Sequence, residues 1–275
     1  MARVIAMAGE DHKAGTANMD EGPGYSYTCA IIDDLPETGS LFASLNTMVP
    51  SFPSHADGRL RVVSWNLLRR VGAGVTDVCR LVKTHQPDLL LLQECTEEIA
   101  TLPSLVGGHF FRHPMQSRIY GLAAWSPHPF PPSTQITLPY SILPGRVPPR
   151  LAQIVSFHGI TIANVHLSHG QFLNRFQLRH IMEQMEGPAA IIGDFNAVGP
   201  VGFQGFSDIG PRRRTHRAGN IIALRLDRCI ARGLACSASE VLDKGPSDHH
   251  PMVLDMAVDP AFHVPGLEDS TLLAL

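Results

Sequence analysis

Charged side chains are scarce in this sequence: Lys plus Arg number 22 and Asp plus Glu 25, so 17% of its 275 residues are charged, against about 25% in an ordinary soluble domain. With 44% apolar residues, disorder throughout is excluded. Lysine is nearly missing, at 3 against 19 arginines. Arginine suits bidentate phosphate contacts, and a coding bias of the source genome accounts for the ratio equally well. The five cysteines, Cys29, Cys79, Cys95, Cys229 and Cys236, are odd in number, and none sit at the short gaps of metal-binding pairs. That spacing excludes a cysteine-ligated metal centre and favours a reducing compartment. A signal segment is also lacking, because the apolar run Val4 to Ala8 stops before Glu10, short of the roughly 7 to 15 residues required. Leu151 to Asn174 carries no formal charge, but Gln, Ser, Asn and three histidines interrupt it, as does Gly159. It is no membrane span, and a cytoplasmic chain, monomeric by default, is the expectation. Glycine-rich phosphate loops, the Gly-x-Ser-x-Gly elbow and the His-Glu-x-x-His helix are absent too, which removes the enzyme classes built on them.

Glycine and proline are plentiful, at 24 and 22, so many turns separate short elements. Ten of the prolines fall between Pro103 and Pro149, which predicts long stiff loops there, since proline removes a backbone donor and fixes its dihedral. Charge is uneven as well. Residues 1–58 hold two cations against eight acids and show no sustained period, so they read as a poorly packed extension. Residues 59–257 form one domain of ordinary size, and 258–275 a C-terminal tail.

From Leu60 onward strand and helix signals alternate. Leu60 to Trp65 is a β-branched run, and Val75, Val78, Leu81 and Val82 mark a helical face. Asp88 to Gln93 is an aliphatic strand with no polar face, as expected of a strand covered on both sides. Further strands are predicted at Leu122–Trp125, Gln135–Leu138, Ala152–Phe157, Ile160–Val165, Ala189–Ile192, Ala223–Ile230 and Met252–Met256. A helix is predicted over Gln171–Met185, with Phe172, Phe176, Leu178 and Met182 on its buried face.

Polar residues interrupt these strands at their ends, in Ser64-Trp65-Asn66, Leu92-Gln93-Glu94, Asn164-Val165-His166, Gly193-Asp194-Phe195-Asn196 and Ser247-Asp248-His249, with Arg225-Leu226-Asp227 inside a strand. In α/β architectures, sites gather at the carboxyl ends of strands. A carboxylate such as Glu94 is a hard ligand of the kind Mg²⁺ prefers. Gly193 permits a tight turn that aims Asp194 and Asn196 the same way. Asp227, buried between apolar neighbours, needs a partner, and pairing with His249 supplies one while fixing the imidazole tautomer.

These six motifs, in this order over about residues 59 to 257, resemble the endonuclease/exonuclease/phosphatase superfamily of metal-dependent phosphoesterases. The resemblance implies an α/β fold, a four-layer αββα sandwich with two mixed β-sheets flanked by helices. It implies a Mg²⁺ or Mn²⁺ ion held by Glu94, Asn66 and Asp248, and a catalytic set of His166, Asp194, Asn196, Asp227, Asp248 and His249. Asn66 and Asn196 would also hold the phosphate. Either Asp194 or the His249 and Asp227 pair would activate the attacking water. His166 fits the branches resembling pancreatic deoxyribonuclease and neutral sphingomyelinase, whereas apurinic endonucleases usually carry tyrosine there. Arg212, Arg213 and Arg214 are candidate substrate-binding residues for a phosphate backbone, a solvated loop being the bland alternative. The expected activity is phosphodiester hydrolysis on nucleic acid. A small-molecule or lipid phosphodiesterase or phosphatase is the second reading, and a non-catalytic binding relative the third.

Overall fold

Four consecutive leucines, Leu89 to Leu92, are all fully buried, and the layers on either side explain how. A computed structural model describes residues 59–140, 149–218 and 222–262; the expected extension 1–58 and the tail from 263 onward lie outside them. In chain order the elements are β1 (Leu60–Asn66), α1 (Val75–His85), β2 (Leu89–Thr96), α2 (Leu102–Val106), β3 (His109–Pro114), β4 (Tyr120–Ser126), β5 (Thr134–Thr137), β6 (Leu151–Phe157) and β7 (Ile160–His166). Then follow α3 (Gln171–Met182), β8 (Ala189–Asp194), β9 (Ser207–Asp208), β10 (His216–Ala218), β11 (Ile222–Leu224), β12 (Asp227–Arg232), β13 (Leu234–Val241) and β14 (Met252–Val258).

Two six-stranded sheets result, ordered β13-β14-β1-β2-β4-β3 and β5-β6-β7-β8-β12-β9, beside a separate β10-β11 ribbon. Both sheets are mixed: β1 with β2 and β7 with β8 run parallel, and the other pairs antiparallel. Leu89 and Leu91 enter the layer between the sheets with Val62, Ile162 and Ile192. Leu90 and Leu92 turn the other way, onto Val78, Leu81 and Val82 of α1. On the far sheet, Ala163, Val165 and Ile191 pack against Leu178 and Ile181 of α3. This is the expected αββα sandwich, and each fully buried leucine contributes about 1.5–3 kcal/mol of transfer free energy.

Moving toward the carboxyl ends of the parallel strands, the layer between the sheets turns from aliphatic to amide. Gln93 on one sheet donates from Nε2 to Ser64 Oγ (3.1 Å) and, across the layer, to Asn164 Oδ1 (2.7 Å). Asn164 in turn donates from Nδ2 to the carbonyls of Leu92 (3.2 Å) and Ala123 (3.1 Å) and to Gln153 Oε1 (3.0 Å). All three amide side chains are fully buried.

Several elements differ from the sequence expectation. Besides the expected strands β4 and β5, the proline-rich stretch holds α2 and β3, which were not expected, because Pro103 occupies the first turn of its helix and Pro114 the end of its strand, positions where a missing N–H costs little. Residues 141–148 of that stretch lie outside the description. The predicted strand Ala223–Ile230 is broken in two, since Thr215 Oγ1 accepts the amides of both Leu226 (3.1 Å) and Asp227 (2.9 Å). Asp227 therefore heads β12 instead of lying inside a strand. In α3 the buried face is Asn174, Gln177, Leu178 and Ile181, while Phe172 is 93% and Phe176 58% exposed. Asn174 and Gln177 turn inward because they bond the Asn196 carbonyl and Ser168 respectively. Strand β13 has a mostly exposed burial pattern, so it carries little hydrophobic signal. Beyond β14, paired structure continues past residue 257, with the Asp259 amide donating to Gly233 O (3.0 Å).

Candidate active site

Strand alternation delivers most of the site. In β1 the positions facing the other sheet run Leu60, Val62, Ser64, Asn66; in β7, Ile162, Asn164, His166; in β8, Ala190, Ile192, Asp194, a period of two that ends each strand on a polar side chain. In β12 the alternation begins with Asp227, which lies directly opposite Asp194, while His166 flanks Asp194 on the other side.

Glu94 breaks the rule. Strict alternation would send it toward α1, but the register against β4 slips between Leu92 and Cys95, and Glu94 takes a left-handed φ of 51°. A bulge of this kind re-aims a side chain, and here it brings Glu94 into the pocket. Glu94 was expected to end its strand; β2 instead runs on to Thr96.

The pocket has a volume of about 480 Å³, and Asn66, Glu94, His166, Asp194, Asn196, Asp248 and His249 all line it. Asp194 is its hub. Oδ1 accepts the Asn196 amide (2.9 Å), and Oδ2 accepts Asn66 Nδ2 (3.2 Å) and Asn196 Nδ2 (3.4 Å). His166 Nε2 and His249 Nε2 lie 3.5 Å and 3.7 Å from the same Oδ2. Behind the pocket, His249 Nδ1 meets Asp227 Oδ2 at 2.8 Å. The loop carrying His249 is bolted down by Trp65, whose indole donates to His249 O (3.0 Å), and by Ser247, which donates to Asn66 O (2.7 Å). Arg228, buried, donates to the carbonyls of Ala197 (3.2 Å) and Gly199 (2.7 Å) and holds the loop after Asp194.

Electrostatics separate the titratable groups. Burial alone would discharge His249, but Asp227, Asp194 and Asp248 outweigh it and hold the imidazolium up to about 10. Burial, reinforced by Arg150 and the charge of His249, drives His166 well below the ordinary imidazole range, so it is neutral. Burial also lifts Asp194 above the usual carboxylate range against the pull of His249. Glu94 is raised for the same reason, although Arg69 opposes it. For Asp248 burial is outweighed by the contact with His216, and its carboxyl falls.

A divalent cation fits this donor set. Glu94 Oε2 is buried, accepts no hydrogen bond, and faces only the ion-pair contact of Arg69 Nε at 3.0 Å. Asp248 Oδ1 is likewise without a hydrogen-bond donor. Two tight clusters of potential ligands also occur, His216 with Asp248 and His249, and Asp194 with Asp227 and His249. Both depend on His249, whose Nδ1 is already committed to Asp227, whereas the unsatisfied oxygens of Glu94 and Asp248 are of the hard type that divalent cations prefer.

Other pocket residues carried no signal of their own in the sequence. His216 lies 3.4 Å from Asp248 Oδ2, with its ring 4.5 Å from that of His249. It was hidden in a run of arginines. His169, one of many histidines, also lines the pocket, as does Arg69. Conversely, Arg212, Arg213 and Arg214 are not in the pocket but line a neighbouring cavity.

Gly193 is required by space as well as by its φ of 136°. A Cβ there would lie 2.2 Å from the Val165 carbonyl oxygen and 3.1 Å from Gln93 Nε2. Gly193→Ala is therefore expected to destabilise the fold by more than about 2 kcal/mol, as measured by chemical denaturation; an unchanged midpoint would refute the crowding.

Comparison with known proteins places this geometry. Residues 63–249 match the model of the Endonuclease/Exonuclease/phosphatase family. No curated protein is significantly similar to the chain. Among solved structures, the chain is similar to an endonuclease/exonuclease/phosphatase from Bacteroides vulgatus, at 16% identity and a TM-score of 0.62, covering 73% of this chain and 99% of that one. It is similar to humanized D. rerio TDP2, at 18% identity and 0.59, covering 73% and 100%. A third is the mannosyl-6-phosphatase of Bacteroides thetaiotaomicron, at 18% identity and 0.58, covering 72% and 99%. At such identities, what is shared is the fold.

Proposed function

The chain belongs to the endonuclease/exonuclease/phosphatase family, metal-dependent hydrolases of phosphoester bonds, and from that premise we propose that it cleaves a phosphodiester of a nucleic acid by in-line attack of water. The convergence of Asn66, Glu94, His166, Asp194, Asn196, Asp248 and His249 in one pocket carries this reading. Glu94, with Asn66 and Asp248, would hold Mg²⁺ or Mn²⁺. The ion, when bound, supplies charge neutralisation on the phosphoryl and leaving oxygens.

The side chains divide the remaining work. The Nδ1 of His249 is tied to Asp227, and its Nε2 is flanked by the carboxylates of Asp194 and Asp248. Such a ring keeps both protons, so it stabilises developing negative charge or protonates the leaving oxygen; it does not serve as the base. The base is Asp194, whose Oδ2 is fixed by two amide donors beside two imidazoles. Asn66, Asn196 and the neutral His166 orient the phosphate and the water around it. A general base placed in this way contributes about 10²- to 10⁴-fold.

Hydrolysis of plasmid DNA, single-stranded DNA, RNA, abasic duplex, sphingomyelin and inositol phosphates, with Mg²⁺, Mn²⁺ or chelator, tests the proposal. Cleavage of a nucleic acid that stops with chelator is the expected result, and cleavage of no nucleic acid in the panel would refute it. The pocket volume of about 480 Å³ also suits a single sugar phosphate, the second reading, for which activity would be confined to small phosphate esters. Glu94→Gln should raise the metal concentration needed for half-maximal activity at least about tenfold, as read from a Mg²⁺ titration; an unchanged requirement would take Glu94 out of the metal site. Among the described residues no helix is long and apolar enough to cross a membrane.

A further inference from the structure

The catalytic pocket continues past His216, which also lines a second cavity of about 830 Å³. Five cations, Arg212, Arg213, Arg214, Arg217 and Lys244, border this cavity with a single acid, Asp243. Arg212 is already engaged, since its guanidinium donates to Asp208 O (3.3 Å) and pairs with the Asp208 carboxylate (3.5 Å). Arg213, Arg214 and Arg217 are exposed, and no ion pair with a described residue engages them. Lys244 donates to the carbonyls of Gly245 (3.4 Å) and Ser247 (3.1 Å), which holds its ammonium beside the catalytic loop without neutralising it.

These cations do not sit on a free loop. The Thr215 amide donates to Leu224 O (2.9 Å), the Arg217 amide to Asp248 O (2.9 Å) and the His250 amide to Thr215 O (2.7 Å). The ribbon that carries Arg217, and into which the segment with Arg213 and Arg214 leads, is thus hydrogen-bonded to the segment that carries Asp248 and His249. Like charges gathered on such a platform repel one another, and an anionic ligand relieves that repulsion. We infer that the groove binds successive non-scissile phosphates of a single nucleic-acid strand whose scissile bond lies in the adjoining pocket.

The inference rests on the phosphodiesterase reading, and its test separates the two. Binding of a short labelled single-stranded DNA to the full chain without added metal, followed by fluorescence anisotropy, should weaken with salt. Each neutralised phosphate contributes about 0.7 to the slope of log K against log salt. With four available cations the wild-type slope is expected between about −2 and −3. Arg217→Gln and Lys244→Gln should each flatten it by about 0.7, and together by about 1.4, with affinity at low salt falling about tenfold or more. No wild-type binding, or a slope unchanged in the double variant, overturns the groove. Hydrolysis of bis(p-nitrophenyl) phosphate by the wild type reports on the catalytic reading alone: if it fails while the slope responds, the groove stands and the catalytic reading falls.

Discussion

Asp194→Asn is expected to lower phosphodiester hydrolysis by about three to four orders of magnitude, toward the upper end of what a positioned base contributes, while the protein remains folded. The substitution preserves shape, but an amide cannot take a proton from water. Its effect on stability is a balance. The Asp194 carboxyl lies above its ordinary range because burial outweighs the pull of His249, so at neutral pH its ionised form opposes folding, a cost that an uncharged Asn escapes. Against this, Asn66 Nδ2 and Asn196 Nδ2 lose their acceptor and His249 loses one of its attractions. The melting temperature at pH 7 should therefore change little, and full activity in the folded variant would remove Asp194 from its role.

Asp227→Asn should produce the second large loss, of about 10²- to 10⁴-fold in kcat, through another route. Asp227 is hydrogen-bonded to His249 and lies beside Asp194, and it is the strongest of the attractions that hold the imidazolium against burial. His249 has its proton held up to about 10. A group whose folded value is raised contributes stability that is complete below its unfolded value of about 6.5 and is lost as pH rises toward the folded one. Without Asp227, the alkaline limb of the pH-rate profile should move down by a unit or more, and the stability held between those two values should shrink. Leaving one partner of a buried ion pair alone also costs about 3–5 kcal/mol. A pH-rate profile and thermal unfolding over the same range read both effects. An alkaline limb that stays in place would show that the pair does not govern the charge of His249.

Much of this site was legible because strands keep time. The motifs ending in Asn66, His166 and Asp194 sit at the close of period-two runs, and the same parity that places Val62, Ile162 and Ile192 in the core places these side chains at the rim of the same layer. Glu94 was legible as a residue type but not as a geometry, since a bulge leaves no hydrophobic signature. His216 was masked by the arginines around it, and its partnership with Asp248 arises from hydrogen bonds between the ribbon and the catalytic loop. Strand β13 was missed because one covered edge carries too few apolar residues. The α3 face was misread because Asn174 and Gln177, polar by type, are buried by function: they hold the loops on which Ser168 and Asn196 stand.

The amide layer beneath the pocket has a consequence for how the two halves of the site stay aligned. Asn66 and Glu94 belong to one sheet, and His166, Asp194 and Asp227 to the other, so the pocket is a seam and not a property of either sheet. An aliphatic interlayer alone is slippery, because leucine against isoleucine packs almost equally well after a small slide. Gln93 and Asn164, which lock across it with fixed donors and acceptors, admit one alignment. They act as a dowel driven through two plates just below a joint that must not shift, and the tolerance of the chemistry above is set by amides that never meet the substrate.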